Sequence, residues 1–232
     1  MLPKHIKEFS KNAHTYDVHT ALQREIAAKV LAGITSHPKT VLDLGCGNGA
    51  VYKQLPYGVE RFVGVDSAEA MCAAHPKAGN VSVLCENFDD ASLWNSLGVF
   101  DVAISSSALQ WSCDIEAIFK RLSFTCKEGA FAIFTDKTFE ALYDYTGRER
   151  FLPNAQKLEK MVQSYFTCKS EIKTFQLFFE DTHSLFRYIK KSGVSGGEKK
   201  LSVEQTRHLI KNYPHRFLEC EVLFIWGKSK RF

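Results

Sequence analysis

The sequence predicts an α/β fold with a doubly wound, mostly parallel sheet of seven strands. Two observations predict it. A short apolar run over 41–44 gives way to three glycines at alternate positions between 45 and 49. A second apolar run over 62–65 then ends at an acid, Asp66. A strand, a glycine-rich turn, a helix and a second strand ending in an acid form the nucleotide-binding half of such a sheet.

The residues around the turn indicate its ligand. Gly45, Gly47 and Ala50 alone fit the dinucleotide-binding fingerprint in the variant that ends in alanine. Two features favour another ligand: Asp43 lies two residues before the first glycine, and a third glycine occupies position 49. Asp-Leu-Gly-Cys-Gly-Asn-Gly resembles the E/D-x-G-x-G-x-G signature of class I S-adenosylmethionine (SAM) methyltransferases. The resemblance implies their Rossmann-like fold and SAM as cofactor. A strand-turn-helix junction without a ligand is the alternative.

Two acids of this region carry specific expectations. Asp43 lies inside the strand end, where a carboxylate is costly unless it receives hydrogen bonds. Asp66 can accept hydrogen bonds from ribose hydroxyls.

Length and composition exclude several classes of protein. The 232 residues suffice for one domain. We expect an N-terminal helical lid over 1–36, a SAM-binding core over 37–135 and a substrate-facing part with helical insertions and the last two strands over 136–232. No run of about eighteen apolar residues predicts a membrane span, and the start lacks a secretion signal. The seven cysteines never occur as Cys-x-x-Cys, which argues against a disulfide framework or a metal site and favours the cytoplasm.

Apolar periodicity and turn residues predict the other elements. Pro153 followed by Asn154 indicates a helix start inside a helical stretch over 138–166, and Ser67 is expected to cap a helix that reaches residue 74. The remaining strands are predicted over 81–85, 99–105, 130–135, 172–180 and 219–226. The remaining helices are predicted over about 20–32, 115–126, 184–191 and 203–211, with a turn over 192–197.

Charge is concentrated at the C-terminal end. The net charge is +4, and residues 186–232 contain eleven Lys and Arg against four Glu and no Asp. A basic surface of this kind can attract an acidic protein, nucleic acid or an anionic substrate. A solvated basic tail is the alternative.

Further blocks carry a narrower resemblance. Phe9-Ser-x-x-Ala-x-x-Tyr16-Asp-x-His19-x-x-Leu-Gln23-Arg24 is similar to the N-terminus of the malonyl-acyl-carrier-protein O-methyltransferases of biotin synthesis, the BioC family. The blocks that share this similarity are Ala108-Leu-Gln-Trp111, Arg150-Phe-Leu-Pro153, Phe186-Arg-Tyr-Ile-Lys-Lys-Ser-Gly-Val194 and the ending from Tyr213. Two departures stand out: Asn87 replaces the family's usual acid, and the region after Gly193 is unusually rich in Gly and Lys.

The narrower resemblance implies an activity and its partners. The chain would transfer the methyl group of SAM to the free carboxylate of a malonyl thioester, an early step of biotin synthesis. The partner would be malonyl-acyl-carrier protein or malonyl-coenzyme A, with no nucleic acid and no membrane. Carrier proteins are acidic, so we expect the docking face to include Lys190, Lys191, Lys199 and Lys200.

The class resemblance implies a set of cofactor contacts. The Asn87 side-chain carbonyl can accept a hydrogen bond from the adenine amino group, and Met71 is either a core residue or a contact to the adenine. The predicted cofactor-binding residues are Gln23, Asp43, Gly45, Cys46, Gly47, Gly49, Asp66, Ser67, Met71, Asn87, Phe88 and Ser105.

The substrate side follows from the chemistry of a carboxylate acceptor. A carboxylate is already ionised at neutral pH, so its methylation needs alignment and exclusion of water rather than a general base. Hydrogen-bond donors must hold the anion, and arginine offers two at once. Among the candidates Tyr16, His19, Gln110, Arg121, Arg150 and Arg187, we expect Tyr16 and Gln110 to donate and Arg150 or Arg187 to hold the carboxylate. Trp111 is expected either to wall off a small apolar pocket or to pack in the core.

Three other functions stay open. A small-molecule carboxylate methyltransferase of the trans-aconitate type has a similar Ala-Leu-Gln-Trp block and would not need the basic segment. An RNA methyltransferase could use that segment to bind phosphates, although no Asn-Pro-Pro-Tyr-like motif is present. A SAM-binding regulator would bind the cofactor without transferring its methyl group.

Overall fold

The computed structural model describes residues 21–191 and 202–232. The strands of these ranges are β1 (Thr40–Leu44), β2 (Arg61–Val65), β3 (Val81–Leu84), β4 (Phe100–Ser106), β5 (Cys126–Phe134), β6 (Phe166–Phe178) and β7 (Phe217–Ser229). Together they form one seven-stranded sheet in the order β3-β2-β1-β4-β5-β7-β6. The strands are parallel except β7, which runs antiparallel to both of its neighbours. The predicted mostly parallel, seven-stranded sheet is confirmed.

Helices connect the strands and cover the sheet. Within the described ranges they are α1 (Ala21–Ala32), α2 (Glu69–Ala74), α3 (Ala91–Leu97), α4 (Ile115–Thr125), α5 (Glu140–Thr146), α6 (Ala155–Gln163), α7 (Thr182–Lys191) and α8 (Val203–Asn212). Short 3₁₀ turns occur at Tyr52–Gln54 and Leu109–Trp111. No helix of the described ranges is both long and apolar enough to cross a membrane.

The strand order places a ligand crevice beside β1. The chain moves outward from β1 to β2 and β3, then crosses back to β4 on the other side of β1. Loops that leave β1 and β4 therefore diverge at the carboxyl ends of these strands. A crevice at such a switch point is where open α/β sheets bind ligands.

Two apolar layers hold the sheet between helices. Leu22, Ile26 and Val30 of α1 lie in one buried cluster with alternate residues of β5 and β7. Ile118, Phe119 and Leu122 of α4 lie in the other cluster, on the opposite face. The fully buried strand residues explain why the central runs are continuously apolar in sequence rather than alternating.

Most predicted elements are present, and several boundaries differ. α6 starts after Asn154 as predicted, with the Asn154 side chain accepting hydrogen bonds from the backbone amides of Gln156 and Lys157. β5 begins directly after α4 at Cys126, so Gly129 lies inside the strand and not in a loop before it. β6 begins at Phe166 and not at 172, because its first residues pair with the end of β7. The sequence reasoning did not identify α3, and the predicted turn over 192–197 lies outside the described residues.

A close contact seats α1 on the sheet. The indole Nε1 of Trp226 in β7 donates a hydrogen bond to the carbonyl of Val30, 2.8 Å away. Gly33 follows α1 directly, and a Cβ on it would lie 2.1 Å from the same indole nitrogen. The helix can approach the tryptophan because Gly33 has no side chain.

We expect Gly33→Ala to lower the free energy of unfolding by about 1–3 kcal/mol, because the indole must move and its hydrogen bond weakens. Gly79→Ala is the matched control, since a Cβ at Gly79 would meet no heavy atom within 4 Å. Urea unfolding of both variants measures the difference. Equal unfolding midpoints for the two variants would contradict this packing account.

Candidate active site

The glycine-rich turn follows β1 and is tied to the neighbouring strand. The backbone amides of Gly45 and Cys46 donate to the carbonyl of Val65 at 2.7 and 3.1 Å. The backbone of Gly45 and Gly47 is left-handed, with φ of 73° and 53°. Residues with a Cβ adopt this conformation at a cost, which explains the glycines.

The space around each glycine shows what lies against the turn. A Cβ on Gly45 would sit 2.1 Å from the Cβ of Ala108, so the turn touches the segment that follows β4. A Cβ on Gly47 would meet no heavy atom of the described protein within 4 Å. Gly47 therefore borders open space at the crevice. Cys46 is buried and lies against Gly64 of β2, which indicates a packing role for its side chain.

Asp66 holds the turn in place. Its Oδ2 accepts a hydrogen bond from the Gly47 amide and its Oδ1 accepts one from the Ala68 amide, both at 2.9 Å. Burial raises the pKa of Asp66, and these two hydrogen bonds oppose the increase. Each carboxylate oxygen keeps a second acceptor position for ligand hydroxyls.

The predicted cap at Ser67 is wrong. α2 begins at Glu69 after the N-cap residue Ala68, and no side chain caps it. The Asp66 carboxylate, and not the Ser67 hydroxyl, accepts a hydrogen bond from the Ala68 amide.

Asp43 is the buried acid of the site that has no hydrogen-bond partner among the described residues. Its side chain is fully buried, and neither carboxylate oxygen has a hydrogen-bond partner among the described residues. Burial, and then the negative charge of Asp66, raise the pKa of Asp43 to about 8. A buried carboxylate without donors is stabilised by a nearby cation, so this position favours a positively charged ligand group.

The residues after β3 make hydrogen bonds to nearby residues of the chain. Asn87 Oδ1 accepts a hydrogen bond from the Asp89 amide at 3.0 Å, so one of its two acceptor positions is already used. The carbonyl of Phe88 accepts from the Trp94 indole at 2.9 Å. Met71 is only 2% exposed and is a core residue in this structure.

The segment after β4 brings polar groups to the crevice. Ser105 is buried and its hydroxyl donates to the Leu44 carbonyl at 2.7 Å, which joins β4 to β1. Gln110 Nε2 donates to the Ser107 carbonyl at 2.8 Å, whereas Gln110 Oε1 is buried without a partner. The predicted role of Gln110 as a donor to the substrate stays a prediction: Nε2 keeps a second N–H, and the unpaired atom of the side chain is an acceptor. Gln23 of α1 also has a buried, unpaired Oε1.

Aromatic side chains form a wall next to this segment. The ring of Trp111 stacks on Phe151 with centroids 6.0 Å apart, and Tyr143 meets Phe151 edge-on at 6.4 Å. Trp111 is partly buried and Phe151 is 40% exposed, so the wall borders the surface and does not lie in the core.

The arginines predicted to bind the carboxylate lie in different surroundings. Arg150 pairs with Glu140 at 3.1 Å and with Asp144 at 2.6 Å, both on α5. A substrate carboxylate would compete with these two acids for the Arg150 guanidinium. Arg187 is exposed on α7. Arg121 donates to the Asp89 carbonyl at 3.1 Å and lies over the Trp94 ring, a structural role. Tyr16 and His19 lie outside the described residues.

Sequence reasoning did not identify two polar positions. The first is Ser107, which has a φ of 64° and a buried hydroxyl without a partner. No residue type marks this position in the sequence. The second lies where β5 ends beside β7. There the Thr135 hydroxyl donates a hydrogen bond to the Glu221 carboxylate at 2.6 Å, and Glu219 Oε2 is buried and unpaired. Two acids in an otherwise apolar strand were a detectable signal.

The fold and the site together define a class I SAM-dependent methyltransferase. Residues 15–188 match the sequence profile of the methyltransferase domain family. The chain belongs to that family, and SAM is its cofactor.

Curated relatives share a narrower name. A malonyl-[acyl-carrier protein] O-methyltransferase of Anoxybacillus flavithermus is 30% identical over 145 residues, which cover 59% of this chain and 55% of that protein. One of Acetivibrio thermocellus is 26% identical over 244 aligned positions, covering 90% of this chain and 85% of that protein. The first alignment thus spans about half of the relative, and the second spans most of it.

Solved structures support the fold. The YcgJ protein of Bacillus subtilis superposes with a TM-score of 0.62 at 14% identity, over 91% of this chain and 99% of that one. Phosphoethanolamine N-methyltransferase 2 of Haemonchus contortus, solved in complex with SAM, gives 0.58 at 15% identity, over 95% of this chain and 57% of that one. At these identities the likeness shows the architecture alone.

We expect Gly47→Ala to weaken SAM binding at least about tenfold, because the new Cβ projects into the open space at the crevice. Gly147→Ala is the matched control: Gly147 is also left-handed, with φ of 62°, and a Cβ there also meets nothing within 4 Å, but it ends α5. Both variants carry a similar backbone strain. Isothermal calorimetry compares their SAM dissociation constants, and equal constants would remove Gly47 from the cofactor site.

Proposed function

We propose that this methyltransferase esterifies the free carboxylate of a malonyl thioester carried by an acyl-carrier protein, an early step of biotin synthesis. The observation that carries the proposal is the similarity to malonyl-[acyl-carrier protein] O-methyltransferases, which in one relative extends over 90% of the chain. The order of the similar sequence blocks supports it.

The residues of the crevice fit the chemistry of SAM. SAM carries a sulfonium and an ammonium, and when bound it supplies an electrophilic methyl group. Asp43 would balance its positive charge, because this buried carboxylate has no other described partner. Asp66 would accept hydrogen bonds from ribose hydroxyls, and Gly47 would leave room for the ligand beside the backbone. Asn87 would offer its second acceptor position to the adenine amino group.

On the substrate side, the protein has to orient a nucleophile that is already ionised. The segment that contains Ser107 and Gln110 touches the glycine turn, so an acceptor bound there would lie beside the cofactor. The wall of Trp111, Phe151 and Tyr143 would exclude water from one side. Alignment and desolvation then supply the rate enhancement, without a proton acceptor.

The basic surface suits an acidic carrier protein. On α7 and α8, the exposed cationic residues are Arg187, Lys190, Arg207 and Lys211. Lys191 ends α7. Lys199 and Lys200 lie outside the described residues. Exposed positive charges on two neighbouring helices can attract an oppositely charged partner.

The test is a transfer assay with methyl-labelled SAM, read by intact mass. The acceptors are malonyl-carrier protein, malonyl-coenzyme A, trans-aconitate and bulk tRNA. The proposal expects one methyl group on the malonyl carrier, removed by mild alkali because the product is an ester. Transfer only to trans-aconitate or to tRNA would replace the proposed substrate, and SAM binding without any transfer would indicate a regulator.

We expect Lys190→Glu to raise the KM for malonyl-carrier protein several-fold at low salt, and to have little effect at high salt, because exposed charges act mainly on encounter. Lys120→Glu is the matched control, since Lys120 is exposed on α4 at the opposite face of the sheet. Malonyl-pantetheine, which lacks the acidic protein, should show no difference between the two variants. An unchanged KM for the carrier substrate at low salt would exclude this docking face.

A further inference from the structure

The segment after β4 contains a serine in an unusual environment. Ser107 is one of two described residues other than glycine with a positive φ, at 64°. Its backbone is held from both sides: its amide donates to the Ala132 carbonyl at 2.9 Å, and its own carbonyl accepts from Gln110 Nε2 at 2.8 Å. Strained backbone that the surroundings hold in place is concentrated at functional sites.

The Ser107 hydroxyl has no partner. Among the described serines, Ser107 alone has a buried hydroxyl without a hydrogen bond. The buried hydroxyls of Ser105, Ser123 and Ser229 each donate to a backbone carbonyl. Buried polar groups in folded proteins are usually paired, so an exception calls for an explanation. One explanation is that a bound ligand supplies the missing hydrogen-bond partner.

Its position indicates which ligand. Ala108, the next residue, would touch a Cβ on Gly45 at 2.1 Å, so Ser107 lies at the side of the crevice formed by β4 and not at the side of Asp66 and β2. The same short segment contains the second unpaired group, Gln110 Oε1. The segment thus presents one hydroxyl, which can donate, and one amide oxygen, which can only accept.

We propose that the Ser107 hydroxyl donates a hydrogen bond to the acceptor carboxylate, and that Gln110 Oε1 accepts a hydrogen bond from an N–H on the thioester arm of the same substrate. This rests on the proposed function and deepens it. A carboxylate has only acceptor atoms, so it pairs with the hydroxyl. A pantetheine arm contains amide N–H groups, whereas fully ionised trans-aconitate has no donor to offer to Gln110. The pair therefore selects a thioester of pantetheine over a small polycarboxylate.

Two substitutions at position 107 separate function from folding. Ser107→Gly removes the hydroxyl and also relieves the left-handed strain, so a merely structural serine would yield a more stable and fully active protein. Ser107→Ala removes the hydroxyl and keeps the strain. We expect both to lower kcat/KM for malonyl-pantetheine about ten- to hundredfold, the range for a hydrogen bond to a charged group. SAM affinity should change less than about twofold, and Ser107→Gly should melt a few degrees higher than Ser107→Ala.

Ser96→Ala is the matched control, because the Ser96 hydroxyl donates only to the Leu93 carbonyl within α3. It should leave kinetics and SAM affinity unchanged. Full activity of both Ser107 variants would overturn the proposal. A loss confined to SAM affinity would also overturn it, because it would assign the hydroxyl to the cofactor.

The role of Gln110 is tested with two substrates that differ in the arm. The wild type should prefer malonyl-pantetheine over the S-methyl thioester of malonate, which lacks the amides, by about tenfold or more in kcat/KM. Gln110→Met should reduce that preference to near unity, since methionine has similar length and no acceptor oxygen. An unchanged preference in Gln110→Met would remove Gln110 from arm recognition. Transfer by the wild type to any malonyl thioester tests the proposed function separately, so the two claims fail independently.

Discussion

A buried carboxylate without a partner sets the electrostatics of this site. Asp43 lies fully buried in the sheet between β2 and β4, in contact with no described donor, and the nearby charge of Asp66 makes its ionisation harder still. The two acids differ because Asp66 receives two backbone hydrogen bonds and Asp43 receives none. A bound cation would therefore stabilise the ionised form of Asp43. The glycine turn that follows Asp43 borders open space at Gly47. Asp43 thus suits the positive charge of the cofactor, and the open space at Gly47 leaves room for it.

The same turn connects cofactor and acceptor. Gly45 packs against Ala108, so the loop after β1 and the loop after β4 cannot move independently. Ser107, Gln110 and Trp111 belong to the second loop and are thereby held at a fixed distance from the first. The Trp226 indole holds α1 on the sheet through its hydrogen bond to Val30. The Oε1 atom of Gln23, on the same helix, is buried. A methyltransferase that needs no general base depends on this kind of alignment.

Local patterns predicted the parts of the structure that depend on local sequence. The glycine turn, the acid after β2 and the start of α6 at Asn154 follow from residues close together in the chain. β6 was predicted to start six residues too late, because its first residues pair with Ser229 and Lys228, far away in sequence. The left-handed Ser107 carries no glycine to mark it, and the lack of donors at Asp43 depends on which backbone amides reach it. The ion pairs of Arg150 join it to residues six and ten positions earlier, so no helical i, i+4 spacing marks them in the sequence.

Proton release on SAM binding tests whether Asp43 is the counter-charge of the cofactor. With its pKa raised to about 8, Asp43 is mostly protonated in the free protein at pH 7. A bound cation favours the ionised form, so binding to the wild type should release about one proton more than binding to Asp43→Asn at pH 7. This difference should nearly vanish at pH 9.5, where Asp43 is already ionised. Calorimetry in buffers with different ionisation enthalpies counts these protons. We expect this additional proton release to be absent in Asp43→Asn. The same proton count at both pH values and in both proteins would exclude Asp43 as the counter-charge of the cofactor.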